Sequence, residues 1–189
     1  GVDILDMKDV NAPRVPIIKH PDVKRMLMMM KSLVEGSRAV IYRTAFYADV
    51  AEHTSDKALA DKYRGFVELL TPVCKAYCTD SAFRVTELGI QVLGGYGYCQ
   101  EYPVEQYMRD VKISSIYEGA NGIQALDLLG RKIGMKGGMV FMSYIMELNQ
   151  FLAGNKSDST IGGLIPLVEE ARDKLAAITA KFGKLGKED

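Results

Sequence analysis

Apolar residues recur along most of the chain at steps of three and four, the spacing of one helical face. Over residues 20 to about 54 the inward set is Val23, Met26, Leu27, Met30, Leu33, Val34, Val40, Ile41 and Ala45. Pro21 sits where a first helical turn tolerates it, and the next proline is Pro72. A second helix is predicted from about Asp56, carried by Leu59, Tyr63, Phe66, Val67, Leu70, Val73, Cys74 and Tyr77. Thr71-Pro72 reads either as a kink or as a new N-cap with proline at the first position. Thr79 and Asp80 either cap a further stretch through Ala82, Val85, Leu88 and Val92 or lie inside one continuing helix. Gly94-Gly95 then ends it.

Pro103 opens a short helix with Val104, Tyr107, Met108 and Val111 inward. After a turn around residues 118–122, Ile123, Leu126, Leu129 and Ile133 resume the helical period. Gly134, Gly137 and Gly138 break the chain. One more helix is expected over about 139–152. Another, the cleanest amphipath, carries Ile161, Leu164, Ile165, Val168, Ala171, Leu175, Ile178 and Phe182. The polar stretch 155–159 between them reads as a loop, and the Lys-rich tail 183–189 is expected to fray. Residues 1–19, with Pro13 and Pro16, read as an extended lead-in. No segment reads as a strand. The predicted fold is all-α: an antiparallel bundle of long helices over 20–135, with one or two additional C-terminal helices in 136–189.

Composition narrows the function classes. The 24 Lys and Arg balance 24 Asp and Glu, which argues against a nucleic-acid binder with its basic excess. With 48% hydrophobic and 25% charged residues, the chain reads as globular and not disordered. No apolar run approaches the roughly 18 to 20 residues a membrane-crossing helix needs. The opening Gly-Val-Asp-Ile has neither the basic nor the apolar region of a signal peptide. Its lack of an initial Met reads as processing, a tag scar or an excised fragment. The 189 residues fit one domain or slightly more.

Three cysteines, an odd and low count, suit a reducing compartment. The expected location is therefore cytoplasmic, or the mitochondrial matrix in a eukaryote. Cys74 and Cys78 share a helix face. They read as small buried hydrophobes, because His20 and His53 offer no matching spacing for a metal site. The cluster Met26, Met28, Met29 and Met30 reads as core filler.

Two glycine-bearing turns interrupt strong helices. In Gln91-Val-Leu-Gly-Gly-Tyr-Gly-Tyr, glycines let another backbone or a phosphate approach. A helix C-terminus presents carbonyls, so an anion here would need loop N–H groups and side chains such as Gln91. In Ser114-Ser-Ile-Tyr-Glu-Gly-Ala-Asn-Gly, Glu118 lies between bulky Ile116-Tyr117 and Gly119. A carboxylate among apolar groups holds its proton more tightly, as a base near neutral pH requires. The bland alternative is a Glu near a helix start, favoured by the helix dipole.

Taken together, Gln91-Val-Leu-Gly-Gly-Tyr-Gly-Tyr, Met108-Arg-Asp-Val-Lys-Ile and Ile116-Tyr-Glu-Gly resemble, in order and separation, the C-terminal helical domain of the acyl-CoA dehydrogenase family. The string over 117–132 is most similar to the methylthiopropanoyl-CoA dehydrogenase-like subgroup, which has an extra C-terminal extension. His20-Pro-Asp-Val-Lys-Arg-Met-Leu and Glu35-Gly-Ser-Arg suit the subgroup's first helix here. The resemblance covers roughly 14–135, and the last two helices resemble the start of the extension.

The resemblance implies an FAD enzyme oxidising an acyl-CoA to the 2,3-enoyl-CoA. Glu118 aligns with the base that removes the α-proton. Its N–H would help hold the thioester oxygen, and Tyr117 and Gly119 would line the thioester pocket. Gln91, Gly94 and Gly95 would approach the FAD of a neighbouring subunit in a homo-oligomer, a dimer or tetramer. The implied electron acceptor is an electron-transfer flavoprotein. Arg109-Asp110 matches a family pair and reads as structural, a bridge to a neighbouring helix. Ala120 and Gly122 stand where many relatives carry Thr and Gln, so those flavin contacts are not expected. The family's N-terminal and middle domains have no counterpart in the chain, which therefore reads as a fragment, folded but inactive alone. A non-catalytic helical assembly module and an acyl-CoA oxidase are the alternative readings.

Overall fold

The computed structural model describes residues 1–185. It is all-helical, with no strand among the described residues beyond one isolated antiparallel bridge between Val2 and Arg14. Among the described residues seven α-helices follow in chain order: α1 Pro21–His53, α2 Lys57–Leu93, α3 Gly95–Tyr98, α4 Val104–Lys112, α5 Asn121–Asp127, α6 Met139–Gly154 and α7 Ile165–Leu185. No helix among the described residues is long and apolar enough to cross a membrane.

Several boundaries have visible causes. Asp56 caps α2, its carboxylate accepting the backbone N–H of Ala58 at 2.9 Å and of Leu59 at 3.2 Å, the usual role of Asp at that position. Pro103 precedes α4. The break before α6 is made by Lys136, Gly137 and Gly138, with φ of 51°, 68° and 86°. Between α6 and α7, the Asp158 carboxylate accepts the N–H groups of Thr160 and Ile161 at 2.8 and 3.0 Å. Those two bonds hold its carboxyl below the usual range.

Three expectations change. Residues 1–19 are not simply extended. They carry 3-10 turns at Ile4–Asp6 and Ile17–Lys19, and Val15 N–H returns to the Gly1 carbonyl at 2.9 Å. Asp3 and Asp9 each accept the N–H two residues on, at 3.1 and 2.9 Å, the local bond by which Asp favours turns. Second, the last helix begins at Ile165, after a 3-10 turn at Gly162–Leu164. Ile161 lies outside both. Third, α7 runs on to Leu185, through part of the tail expected to fray. Residues 186–189 lie outside the described residues.

The chain forms two compact units, neither contiguous in sequence. The first holds Gly1–Tyr42 and Cys74–Asn121, the second Arg43–Val73 and the residues from Gly122 onward. In the first, α1 and α2 run antiparallel. The Cys78 thiol approaches the Ser37 carbonyl at 3.8 Å and the Cys74 thiol the Val40 carbonyl at 3.9 Å, so three steps up one helix match four down the other. Burial pushes the Cys78 thiol up, against the Ser37 bond. Met26 is buried, whereas Met28 and Met29 face outward. Only part of the methionine cluster therefore fills core.

In the second unit the core is Tyr47, Phe66, Leu69, Leu70 and Val140. Phe66 meets the Tyr47 ring edge-on at 5.2 Å and the Tyr144 ring at 5.4 Å. Such edge-to-face pairs add to the gain from burial. Gly65 lets α6 lie close: a β-carbon there would sit 3.1 Å from Val140 Cγ1. Beside this core, Glu147 accepts from Tyr47 Oη at 2.7 Å, Lys62 Nζ at 2.8 Å and Arg43 Nη2 at 3.1 Å.

Candidate functional site

The residues expected to carry chemistry all fall in the first unit. They occupy two turns, one closing α2 and one preceding α5.

At the first turn, the Gly94 N–H still bonds the Gln91 carbonyl at 3.2 Å. The backbone then swings to φ +61°, ψ −141° at Gly94, a region essentially confined to glycine. A β-carbon on Gly94 or Gly95 would meet nothing within 4 Å. The backbone there is open to an approaching group. Gly97 differs: it is buried, and a β-carbon would lie 2.7 Å from the Ile90 carbonyl oxygen and 2.8 Å from Ile90 Cα. This third glycine packs the turn against the end of α2.

Gln91 lines an open groove of about 800 Å³ between the C-terminal part of α2 and α4. Phe83, Ile90, Tyr98 and Met108 supply its apolar surface, and Glu87, Glu105, Arg109 and Lys112 its charge. Arg109 pairs with Glu105 at 3.2 Å, one turn away on α4. Asp110 accepts from Gln106 Nε2 at 2.7 Å. Both partners are on α4 itself, so the expected bridge to a neighbouring helix is replaced by i,i+4 pairs.

The second turn follows α4 through a 3-10 segment, Ile113–Ser115. The Tyr117 N–H donates to the Ile113 carbonyl at 3.0 Å. Glu118 then takes φ +55° and Gly119 +81°, two successive left-handed residues. For a residue with a β-carbon this conformation costs on the order of 1 kcal/mol. Glu118 is exposed, and Ile116 and Tyr117, each more than half exposed, do not enclose it. The apolar setting expected from the sequence is not formed within these residues alone. Glu118, Tyr117 and Gly119 are adjacent here, while the groove is lined by Gln91 and by none of these three.

Asn121, the first residue of α5, is a functional candidate that sequence reasoning missed. Its Oδ1 accepts from Lys75 Nζ at 2.8 Å. Its Nδ2 donates to Thr79 Oγ1 at 2.9 Å and Asp80 Oδ1 at 2.7 Å, with the Ala76 carbonyl at 3.3 Å sharing one of the two hydrogens. Lys75 lies one turn before the adjacent pair Thr79 and Asp80 on α2, a spacing that was visible but had no partner to be matched with.

Residues 6–133 match the family described as acyl-CoA dehydrogenase, C-terminal domain. A butyryl-CoA dehydrogenase of Syntrophomonas wolfei is 40% identical over 86% of this chain and 27% of its own length. A 3-methylmercaptopropionyl-CoA dehydrogenase of Ruegeria pomeroyi is 39% identical over 89% of this chain and 27% of its own. A broad-specificity linear acyl-CoA dehydrogenase of Mycobacterium tuberculosis is 42% identical over 82% and 26%. The chain thus spans about a quarter of the length of these relatives. With both glycine turns inside the matched span, the chain belongs to the acyl-CoA dehydrogenase family, as its C-terminal helical domain.

Proposed function

We propose that the chain works as the C-terminal domain of an FAD-dependent acyl-CoA dehydrogenase, with Glu118 as the base. The observation that carries this reading is the backbone at Glu118, φ +55° followed by +81° at Gly119. Strained conformations persist where the surroundings over-determine them, and they cluster at functional sites. The turn presents an exposed carboxylate on a fixed backbone.

In this reading Glu118 takes the α-proton of an acyl-CoA thioester. The electron pair of that C–H bond becomes the new Cα–Cβ double bond as the β-hydrogen departs as hydride. Flavin, when bound, supplies the hydride acceptor. The Glu118 N–H faces the charge that grows on the thioester oxygen, an oxyanion-hole contribution. Tyr117 and Gly119 shape the space for the thioester. Gln91 offers a carboxamide, and Gly94 and Gly95 an open backbone, for holding FAD; the empty space around both glycines supports that fit. The exposed Tyr117, Ile116 and Tyr98 fit surfaces covered by the rest of a longer chain or by a second copy. Residues 136–189 lie beyond the span of the family model and read as the start of a C-terminal extension.

The test is Glu118→Gln in the full-length protein. Loss of turnover with flavin still bound supports the base role, and unchanged turnover rejects it. An absorption spectrum of the 189-residue chain, desalted after adding FAD, addresses completeness. A retained yellow band that bleaches with acyl-CoA would mean that this chain suffices. A colourless protein would fit equally a fragment whose cofactor needs the rest of the enzyme and a non-catalytic helical module.

A further inference from the structure

The Glu118 turn is held at both ends. On one side the Tyr117 N–H is bonded to the Ile113 carbonyl at 3.0 Å. On the other, the Asn121 carboxamide is set between Lys75 and Asp80 at 2.8 and 2.7 Å. An ammonium can only donate and a carboxylate can only accept, so this pair admits one orientation of the amide. The Thr79 hydroxyl gives its hydrogen to the Lys75 carbonyl at 2.8 Å, leaving its oxygen to accept from Asn121 Nδ2. Both ends of the carboxamide are thereby satisfied. The neighbours Ala120 and Gly122 have no polar side chain with which to share the task.

We propose that Asn121 is a positioning residue for proton abstraction: its carboxamide, keyed between Lys75 and Asp80, fixes the turn that carries Glu118 on α2. The proposal rests on the reading of Glu118 as the base. Only two residues, Gly119 and Ala120, separate the anchor from Glu118. Without the anchor, the turn loses these bonds to α2. Misplacement of a catalytic group by about 1 Å can cost on the order of a hundredfold in rate.

The experiment compares Asn121→Ala, Lys75→Met and Glu118→Gln in the full-length flavin-loaded protein. Asn121→Ala is expected to lower kcat about tenfold or more, leave KM for acyl-CoA within about threefold and retain flavin. The isotope effect with α-deuterated acyl-CoA should rise, because abstraction becomes the slow step. Lys75→Met removes one partner and should lower kcat alone by a smaller factor. It also keeps the proposal testable should Asn121→Ala fail to fold. The double variant should be no slower than Asn121→Ala. Unchanged kcat in both single variants, or a loss confined to KM or to flavin retention, overturns the anchor role. If Glu118→Gln keeps its turnover, the base reading falls and the anchor with it. If Glu118→Gln is inactive while Asn121→Ala has full kcat, the anchor alone falls.

Discussion

Tyr47 donates its phenolic hydrogen to Glu147 across 2.7 Å, joining residues one hundred positions apart. Lys62 and Arg43 complete the shell around the same carboxylate. Burial works against the Glu147 charge, but Lys62, Tyr47 and Arg43 outweigh it and hold its carboxyl below the ordinary range. Glu147→Gln should lower stability by about 1–3 kcal/mol, because two cations and a phenol lose their charged acceptor. A depressed carboxyl value contributes stability that is present above the unfolded value, about 4.3. That contribution is lost as pH falls through the lower folded value. Thermal unfolding of wild type and variant should therefore differ near neutrality and converge in acid. A gap unchanged down to pH 3 would be contrary to this account.

The phenol of Tyr47 titrates on the opposite side. Burial, then the bond to Glu147, pushes it up to about 12 from 10.0. The neutral phenol is thus favoured by folding, and its contribution is complete below pH 10. It is lost as pH rises from there through 12, on the order of 2 kcal/mol in all. In an ultraviolet titration, one of the 10 tyrosines should ionise late and together with unfolding. Tyr47→Phe should abolish that late step. Its persistence in the variant would assign it to another phenol.

Two neighbouring glycines should respond differently to the same change. Gly94→Ala meets open space but must hold a β-carbon at a backbone angle essentially confined to glycine, at a cost of about 1–3 kcal/mol. Gly97→Ala would drive a methyl into the Ile90 backbone, and overpacking of that kind costs about 3 kcal/mol. Both variants should lose stability, but amide exchange around Ile90 should accelerate more in Gly97→Ala, where the added methyl presses on that backbone. Equal effects at both sites would refute the packing role given to Gly97.

Phe66 has no exposed surface and sits among the rings of Tyr47, Tyr63 and Tyr144. Phe66→Ala should cost about 3–5 kcal/mol. Phe66→Leu should cost far less, since it keeps most of the volume. Calorimetry on both variants checks the ratio, and near-equal losses would mean that ring geometry outweighs the cavity.

The helices were legible where period and punctuation agreed. Pro21 and His53 bound α1, Gly94 stops α2, and Pro103 opens α4. The sequence left α2 ambiguous at Pro72 and at Thr79-Asp80, and the structure carries one helix through both. Pro72 deprives the Glu68 carbonyl of its usual donor. Yet Pro72 is fully buried, so packing offsets the missing bond. The Thr71 hydroxyl also turns inward, donating to the Val67 carbonyl at 2.7 Å. Thr79 and Asp80, plausible caps on local grounds, instead receive Asn121 from 42 and 41 residues away. The Glu147 cluster escaped notice for the same reason. Periodicity reports which face of a helix is apolar, and it is silent on which polar groups meet across a hundred residues. The two candidate turns were legible as motifs, while the bonds of Asn121 to α2 beside one of them were not.

The interleaving of the two compact units has a consequence for inheritance. The chain passes from one to the other at 42/43, 73/74 and 121/122, twice in mid-helix. No single crossover, duplication or deletion in the coding sequence could deliver one unit whole without carrying pieces of the other. Lineages of this domain would therefore be expected to vary at its ends and in its loops, and to exchange it only as an undivided block.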